Sequence, residues 1–355
     1  MGAGGRYAHA CYGQPFLDTL DLMGRPEVGL IENLLRGYSY RDGASAPSTV
    51  RPTAAFLALF PAGDVTWRDF TRDDEPDVLV LKAPKAKGAA SSDRMDYRDT
   101  AHTRKLRREV KALNAILSAA PFWLTGDAGP LALDQDGDPI DPLRRTVWRT
   151  FNNGTFMEGG RLWGGFWETM RRGDRFRLLR IGSTKHPEGE RVCNVDFRAL
   201  NPTLCYVLES LPIPEDDLYD IRGDGSDRAG FKVLMSAMLF AQRRLTQLPS
   251  EARAKFPPGT ATKDVVAAIE RRHAPIAHRF WTGYGHRLAF VESSILMMAL
   301  EDLARQGVTA LPLHDSVLVA RSEAERARLA MANAFASATG EPRAALSIDY
   351  GEQYQ

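Results

Sequence analysis

The chain has 355 residues, of which 44% are hydrophobic and 26% charged, a composition typical of a soluble globular protein with two or three packed units. Its formal net charge of +1 creates no overall field that would attract a nucleic acid, so any such affinity must come from local groups of Lys and Arg. The three cysteines, Cys11, Cys193 and Cys205, lack the spacing of a zinc site and predict reduced thiols in the cytoplasm. Neither a signal peptide nor a membrane-spanning run of about 18 apolar residues is expected.

Residues 1–145 are expected to be mostly helical. The sequence predicts a helix over residues 26–35, a polar loop over 41–53 and a short strand over 77–82. The stretch 134–139 resembles part of a calcium-binding loop but lacks the final glutamate of such loops. We therefore interpret it as a turn-rich linker that ends this region near residue 145.

The strongest helical pattern of this region covers residues 99–119. Its apolar residues recur at helical spacing and form one stripe: Leu106, Val110, Leu113 and Leu117. Its cations lie mostly off that stripe: Arg104, Lys105, Arg107, Arg108 and Lys111. Two interpretations are open. The cations form a solvated helix face, or the helix is thumb-like and lies against phosphates.

Glycines and aromatic residues alternate over residues 156–167. The pairs Gly159-Gly160 and Gly164-Gly165 bracket Arg161 and permit a close backbone approach or a positive φ. Arg161 can then reach a phosphate bidentately while the aromatic rings stack on bases. The alternative is an aromatic corner packed on the core.

A hairpin is predicted from residues 177–181 and 191–197, with Asp196 near the end of its second strand. A helix follows from Pro202 to about residue 211, because proline suits the first helical turn. A longer helix is predicted over residues 226–248. Arg228, Lys232 and Phe240 share one face of it, which suits either a nucleotide rail or an ordinary amphipathic helix.

The C-terminal part is predicted to contain a buried helix over residues 288–303, a hairpin around Asp315, a helix over 323–339 and a strand over 345–350. Glu292 lies in the buried helix, where a carboxylate needs a partner. Apolar strands flank His314-Asp315, so Asp315 lies at the hairpin tip. By itself Asp315 is explained as a turn residue. Together with Asp196 it predicts two carboxylates on neighbouring strands that hold Mg²⁺ ions for phosphoryl transfer.

The order of these parts resembles the polymerase core shared by family A DNA polymerases and phage-type single-subunit RNA polymerases, over residues 151–340. Five motifs carry the resemblance: Gly160-Arg161-Leu162 before the palm, Val195-Asp196-Phe197, the fingers-helix set Arg228, Lys232 and Phe240, Phe290-Val291-Glu292-Ser293, and Leu313-His314-Asp315-Ser316. The resemblance implies an α+β right-hand fold with an antiparallel palm sheet and helical fingers. The expected domains are a thumb-like nucleic-acid-binding region (1–145), a first palm part (146–225), fingers (226–287) and a second palm part (288–355).

Residue roles follow from the resemblance. Asp196, Asp315 and the Phe197 carbonyl hold two Mg²⁺ ions, for which Mn²⁺ can substitute. The catalytic residues are expected to be Asp196, Asp315 and Lys232. Lys232 and Arg228 hold the β- and γ-phosphates of a nucleoside triphosphate. Phe240 stacks at the insertion site. The nucleotide-binding set is completed by Phe197 and Asn201. The residues expected to contact a DNA or RNA primer-template are Arg161, His314 and Glu292, together with the helix cations Arg104, Lys105 and Arg108.

Three departures from the family pattern bear on sugar choice and identity. Phe240 is followed by Ala241 where the family has Tyr and Gly, and Ser316 follows Asp315 as in RNA polymerases, whereas DNA polymerases usually have Glu there. Asn201 stands five residues after Asp196, where DNA polymerases place a Glu that excludes the 2′-hydroxyl and RNA polymerases a Gly. Asn is bulkier than Gly, which favours deoxynucleotides, but it can also hydrogen-bond a 2′-hydroxyl.

We expect a small DNA polymerase of a plasmid, phage or other mobile element, without room for a proofreading exonuclease. An RNA polymerase or primase with the same core is the first alternative. A metal-dependent nuclease or phosphohydrolase, or a non-catalytic relic that binds nucleic acid, is the second. Adjacent His314, Asp315 and Ser316 are not expected to form a Ser-His-Asp triad, because neighbours in the chain do not reach that geometry. The sequence leaves the oligomeric state open.

Overall fold

The computed structural model describes residues 14–35, 38–39, 45–46, 49–60, 77–86, 91–125, 132–138, 140–183 and 186–354. Its contacts divide the chain into two compact units, residues 1–77 and 78–355. Cys11, and Pro139 at the end of the predicted linker, lie outside the described residues. The division into thumb-like region, palm and fingers stays a prediction.

The first unit consists, in its described residues, of short helices and paired strands. The elements are α1 Gln14–Met23, β1 Ile31–Leu35, β2 Tyr38–Ser39, β3 Ser45–Ala46, β4 Thr49–Pro52 and α2 Ala54–Leu57. β1 pairs with β4 and β2 with β3, both antiparallel. The helix predicted over residues 26–35 is wrong. Residues 31–35 form a strand because their backbone is paired across the sheet, where Glu32 meets Arg51 at 2.6 Å.

The predicted polar loop over residues 41–53 is wrong in part, since β3 and β4 fall inside it. The gaps between these strands, residues 40–44 and 47–48, lie outside the described part of the chain. A sequence rich in Ser and Pro thus supplies short strands that pair with residues preceding the predicted loop.

The second unit carries the candidate site. Its elements up to the first carboxylate motif are β5 Leu79–Leu81, α3 Ala101–Ala119, β6 Phe122–Leu124, β7 Val147–Phe151, β8 Gly159–Gly164, α4 Phe166–Thr169, α5 Arg172–Leu178, β9 Leu179–Ile181 and β10 Glu190–Phe197. The remaining elements are α6 Leu200–Leu208, α7 Arg228–Phe240, α8 Ser250–Arg253, α9 Thr262–Arg272, α10 Gly285–Arg305, β11 Ala310–Leu313, β12 Ser316–Ala320, α11 Ala324–Thr339 and β13 Leu346–Asp349.

An antiparallel sheet of six strands lies at the centre of this unit, in the order β11-β12-β10-β9-β6, with β13 also paired to β10. β9 pairs with the start of β10 and β13 with its end. The alternating apolar side chains of β10, Cys193, Val195 and Phe197, are buried. α10 packs against α11, α6 and β8. The unit is therefore a mixed α/β structure built on antiparallel strands.

A second sheet, in the order β5-β7-β8, anchors the helix α3. The buried side chain of Asn114 on α3 donates to the carbonyl of Val147 (2.9 Å) and accepts from its N–H (2.8 Å). On β8, Gly160 has φ +81°, and a Cβ there would lie 2.9 Å from the buried Arg149 guanidinium. Only glycine fits this close approach, which brings the backbone before Arg161 down onto the core.

Several predicted elements are confirmed. α3 begins with a capping box at Thr100 and buries the whole predicted apolar stripe. The β11–β12 hairpin, the buried helix α10, the last helix and the last strand also form where the sequence predicts them. The hairpin predicted from residues 177–181 and 191–197 forms as β9 and β10, but residues 177–178 belong to helix α5. The turn-rich linker is confirmed at residues 134–137, where the Asp134 carboxylate accepts from the N–H of Asp136 (2.9 Å).

The helix predicted over residues 226–248 is wrong at its C-terminal end. α7 stops at Phe240 because Ala241 is extended. The segment after α9 supplies hydrogen-bond donors to the carbonyl groups at the end of α7. The N–H of Trp281 donates to the Met238 carbonyl and the N–H of Gly283 to the Ala241 carbonyl, each at 2.9 Å. These partners are more than forty residues away in the chain, so local pattern does not reveal them.

Two further observations concern the chemistry of the chain. Cys193 and Cys205 are free and buried, and burial raises the pKa of each thiol to about 12. The thiols are thus inert side chains of the core.

Among the described helices, none has the length and apolar character that crossing a bilayer requires.

Candidate active site

Asp196 and Asp315 lie at the same end of two paired strands. β10 and β12 are antiparallel with Asp196 opposite Ser316, so Asp315 stands one residue beyond that pair. The two-residue loop between β11 and β12 requires His314 to adopt φ +58°, a conformation that His tolerates better than branched residues do. The strand register therefore brings together two carboxylates that are 119 residues apart in the chain.

The Asp196 carboxylate is electrostatically unsatisfied. Burial and, next in size, the nearby Asp315 together raise its pKa to about 7, against the opposing effects of Lys232 and of the Phe197 N–H. Its Oδ1 is buried and has no hydrogen-bond partner among the described residues. A buried acceptor without a donor destabilises the fold by about 1–3 kcal/mol. A cation between Asp196 and Asp315 would relieve both the repulsion and the missing bond.

The residues fit a magnesium site of few protein ligands. In the described ranges, no three His, Cys, Asp or Glu side chains converge on one point. Mg²⁺ is commonly held by one or two carboxylates, with water and substrate phosphates completing the octahedron. Phe197 could contribute only through its backbone, because its ring is buried and lies 6.1 Å from that of Phe335. The metal roles of Asp196, Asp315 and Phe197 stay a prediction.

Lys232, in the N-terminal half of α7, acts electrostatically on the Asp196 carboxylate. Lys232 is exposed, and no carboxylate of the described residues lies within 4 Å of its ammonium group. Arg228 is paired with Asp217, whose Oδ2 accepts from its Nε at 2.5 Å. Lys232 is thus available to an anionic ligand, whereas Arg228 already has a carboxylate on one edge.

Phe240 lies at the far end of the same helix, about 18 Å along the axis from Arg228 at 1.5 Å per residue. Its half-buried ring packs edge-on against the His286 ring (centroids 5.1 Å apart), and a Cβ at Gly285 would meet it at 2.6 Å. The structure therefore places Phe240 on the start of α10. Its predicted stacking on a nucleotide stays a prediction.

Arg161 and Glu292 form a bidentate ion pair. Nε of Arg161 donates to Oε1 (2.7 Å) and Nη2 to Oε2 (2.9 Å), while the Glu292 side chain is only 1% exposed. Burial raises the pKa of Glu292 to about 7, and Arg161 opposes that shift. Asp315 acts on both groups, so the pair borders the carboxylate site. The partner that the sequence analysis required for Glu292 is Arg161.

His314 precedes Asp315 at the hairpin tip, and Asn201 stands five residues after Asp196 in the chain. The half-exposed His314 ring lies 5.8 Å from Trp163 and its Nδ1 is 4.0 Å from Glu168, and burial lowers its pKa. Asn201 lies in the first turn of α6, and its Oδ1 is buried without a partner among the described residues. Asn201 is therefore a second unsatisfied acceptor in the loop-helix segment that follows Asp196.

The predicted nucleic-acid cations of α3, Arg104, Lys105 and Arg108, are exposed. Lys105 and Arg108 line a groove of about 850 Å³ between α3 and α10. The single proton of the Ser316 hydroxyl is shared between the Leu313 carbonyl (2.8 Å) and Oδ1 of Asn194 (2.9 Å). No serine nucleophile is therefore presented to His314.

Sequence reasoning missed Tyr219. It lies in a connection between α6 and α7 that has the composition of a polar loop, yet it is only 6% exposed. Its ring centroid is 5.7 Å from the Arg228 guanidinium carbon and 6.0 Å from the Lys232 ammonium. A large aromatic among acidic residues was the only available signal.

Asp196→Asn is expected to stabilise the metal-free protein at pH 8 by about 1–3 kcal/mol. The Asp196 carboxyl has a folded-state pKa of about 7 against an ordinary 3.8, so the folded chain binds the extra proton and wild-type stability falls as pH rises through that window. The uncharged amide removes this loss. Unfolding in a chelator at pH 5 and pH 8 measures it, with exposed Asp264→Asn as control. The expectation is contradicted if the stability gained by Asp196→Asn over the wild type is no larger at pH 8 than at pH 5.

Comparison with known proteins adds a remote structural likeness. No protein-family model matches the chain, and no curated protein matches it. Among solved structures, the chain is similar to the POL domain of Pol1 from M. smegmatis in complex with DNA primer-template and dNTP, at a TM-score of 0.36 and 11% identity. The match covers 70% of this chain and 52% of that one, so this chain spans about half its length.

Proposed function

We propose that this chain is a template-directed nucleotidyltransferase, a small DNA polymerase that extends a primer from deoxynucleoside triphosphates. One observation carries the proposal: the Asp196 carboxylate lies near both Asp315 and Lys232. Among the described residues, its buried Oδ1 has no hydrogen-bond partner and Lys232 has no carboxylate partner. Two carboxylates suit metal-assisted phosphoryl transfer. A free ammonium group beside them suits the phosphates of a nucleotide.

The residues divide the proposed reaction among them. Asp196, Asp315 and the Phe197 carbonyl would hold two Mg²⁺ ions, which supply charge neutralisation at the primer 3′-hydroxyl and the leaving pyrophosphate. Lys232 binds the β- and γ-phosphates and offsets the negative charge that develops between them.

The primer-template is proposed to lie on the other side of the carboxylates. His314, at the tip of the β11–β12 hairpin, lies next to Asp315 and orients the primer end. Arg161, held by Glu292, contacts the duplex near that end. The exposed cations of α3, Arg104, Lys105 and Arg108, contact its phosphates without regard to sequence.

A primer-extension assay tests the proposal. Wild-type protein is given a primer-template with dNTPs or NTPs, in Mg²⁺ or Mn²⁺, and extension should require both template and divalent ion. Strand cleavage without incorporation would instead support a metal-dependent nuclease. Tight binding without either reaction would support a non-catalytic nucleic-acid-binding protein.

A ribonucleotide-specific enzyme, an RNA polymerase or primase, is the second candidate because of Asn201. Its buried Oδ1 lacks a donor among the described residues, and a ribose 2′-hydroxyl is such a donor. As a steric barrier, however, the same side chain excludes that hydroxyl. The position of Asn201 five residues after Asp196 thus supports a sugar-contacting role in either case.

Asn201→Gly is expected to raise ribonucleotide use relative to deoxynucleotide use by about tenfold or more, since the glycine leaves room for the 2′-hydroxyl. Parallel kcat/KM values for one dNTP and its NTP measure the ratio. The control is Asn333→Gly, because Asn333 is exposed on α11. Asn194 on β10 is not suitable, since it accepts a hydrogen bond from Ser316. Lower ribonucleotide use by Asn201→Gly would contradict the barrier and favour the second candidate.

A further inference from the structure

The segment of residues 216–219, between α6 and α7, is held by contacts on both sides. His273 is fully buried: its Nδ1 lies 2.9 Å from the Tyr206 hydroxyl and its Nε2 lies 2.9 Å from the Leu218 carbonyl. Burial lowers the pKa of His273 to about 4, so the ring is neutral, with Nε2 donating to the carbonyl and Nδ1 accepting. Arg272 holds Asp216 at 2.5 Å. The segment is thus fixed in place before any ligand binds.

Asp217 is bonded within this segment through one carboxylate oxygen and connects it to α7 through the other. Oδ1 accepts from the N–H of Tyr219 at 2.9 Å, and Oδ2 accepts from Nε of Arg228 at 2.5 Å. Only the Nε edge of the guanidinium is occupied in this way. Its two terminal nitrogens carry no hydrogen bond to any described residue, which leaves them able to donate to a phosphate in parallel.

Tyr219 supports both cations of α7 with one ring. Arg228 and Lys232 are four residues apart on the helix, where like charges repel each other. The Tyr219 ring lies within 6.0 Å of both charged groups, and its electron-rich face attracts each of them. The ring is itself buried and therefore fixed, so the two cations are held on one side of it.

We infer that Asp217 and Tyr219 are positioning residues that hold Arg228 and Lys232 as a preformed clamp for the β- and γ-phosphates of the nucleotide. The inference rests on the proposed function and adds to it the origin of triphosphate binding. Preorganisation matters here because two long, flexible side chains otherwise lose rotamer entropy on binding. The clamp recognises phosphate groups and not the base.

The decisive experiment compares Asp217→Ala with Glu215→Ala. Both remove one exposed carboxylate from the same connection, but Glu215 has no hydrogen bond to α7 among the described residues. In primer extension, Asp217→Ala should raise the KM for a dNTP about five- to tenfold over wild type, change kcat by less than about twofold and leave primer-template affinity unchanged. The inhibition constant of inorganic tripolyphosphate should rise by a similar factor, because that probe has phosphates but no base.

Tyr219 gives an independent arm. Tyr219→Leu should raise the same two constants, and Tyr219→Phe, which keeps the ring, should restore them towards wild type. Because Tyr219 is buried, Tyr219→Leu can fail to fold, and the exposed Asp217 then carries the test alone. An unchanged or lowered KM in Asp217→Ala overturns the inference. Absence of incorporation by the wild type overturns the proposed function instead.

Discussion

Substituting Asp196 or Asp315 with alanine should reduce nucleotide incorporation by roughly a thousandfold or more, while primer-template binding changes little. The two carboxylates stand at the ends of β10 and β12, and the Asp196 Oδ1 has no partner among the described residues. If they hold metal ions, each loss removes several kcal/mol of charge stabilisation from the transition state. Every 1.36 kcal/mol corresponds to about a factor of ten in rate.

Single-turnover incorporation, with duplex affinity measured separately, distinguishes a catalytic from a binding defect. Asp264→Ala is the matched control, because Asp264 is an exposed carboxylate in the first turn of α9. It should leave incorporation unchanged. Full activity in either the Asp196 or the Asp315 variant would end the proposed mechanism.

Arg161→Leu should destabilise the protein by about 3–5 kcal/mol at pH 8, because it leaves the Glu292 carboxylate buried without its partner. The Glu292 side chain is 1% exposed and does not reach solvent, so protonation is the remaining way to neutralise its charge. In the wild type its pKa is already raised from 4.5 to about 7. A folded-state pKa above the ordinary one means that stability falls as pH rises, so the defect should shrink below pH 7.

Chemical denaturation at pH 6 and pH 8 measures this dependence. Arg161→Leu/Glu292→Leu is the control variant, since replacing both members of a buried pair by apolar residues is often neutral. It should recover most of the lost stability and lose the pH dependence. A single variant as stable as the wild type at pH 8 would show that the ion pair does not matter to the fold.

The elements best predicted from sequence are those whose formation depends on local pattern. The stripe from Leu106 to Leu117 on α3 is buried as its spacing indicates. The β11–β12 hairpin forms around His314-Asp315 because apolar residues flank a short polar turn. In both cases the hydrophobic period and the turn residues agree, and no distant partner is needed.

The errors occur where distant residues compete with local pattern. Residues 31–35 have apolar spacing compatible with a helix, but pairing with β4 makes them a strand. α7 ends at Phe240, and Trp281 and Gly283 donate to the carbonyls at its end. Such partners are not visible in a local window of sequence.

By itself, the sequence determined that Asp196 lies near the end of a strand and Asp315 at a hairpin tip. It also determined that Arg228 and Lys232 share a helix face, because side-chain direction follows from the period of the helix. Only the tertiary structure decided which partners those groups have: Glu292 on Arg161, Asp217 on Arg228, and Tyr219 beneath two cations. The physical reason is that the strength of an ion pair or a buried acceptor depends on distance and burial. Distance and burial are set by how the chain packs and not by the order of its residues.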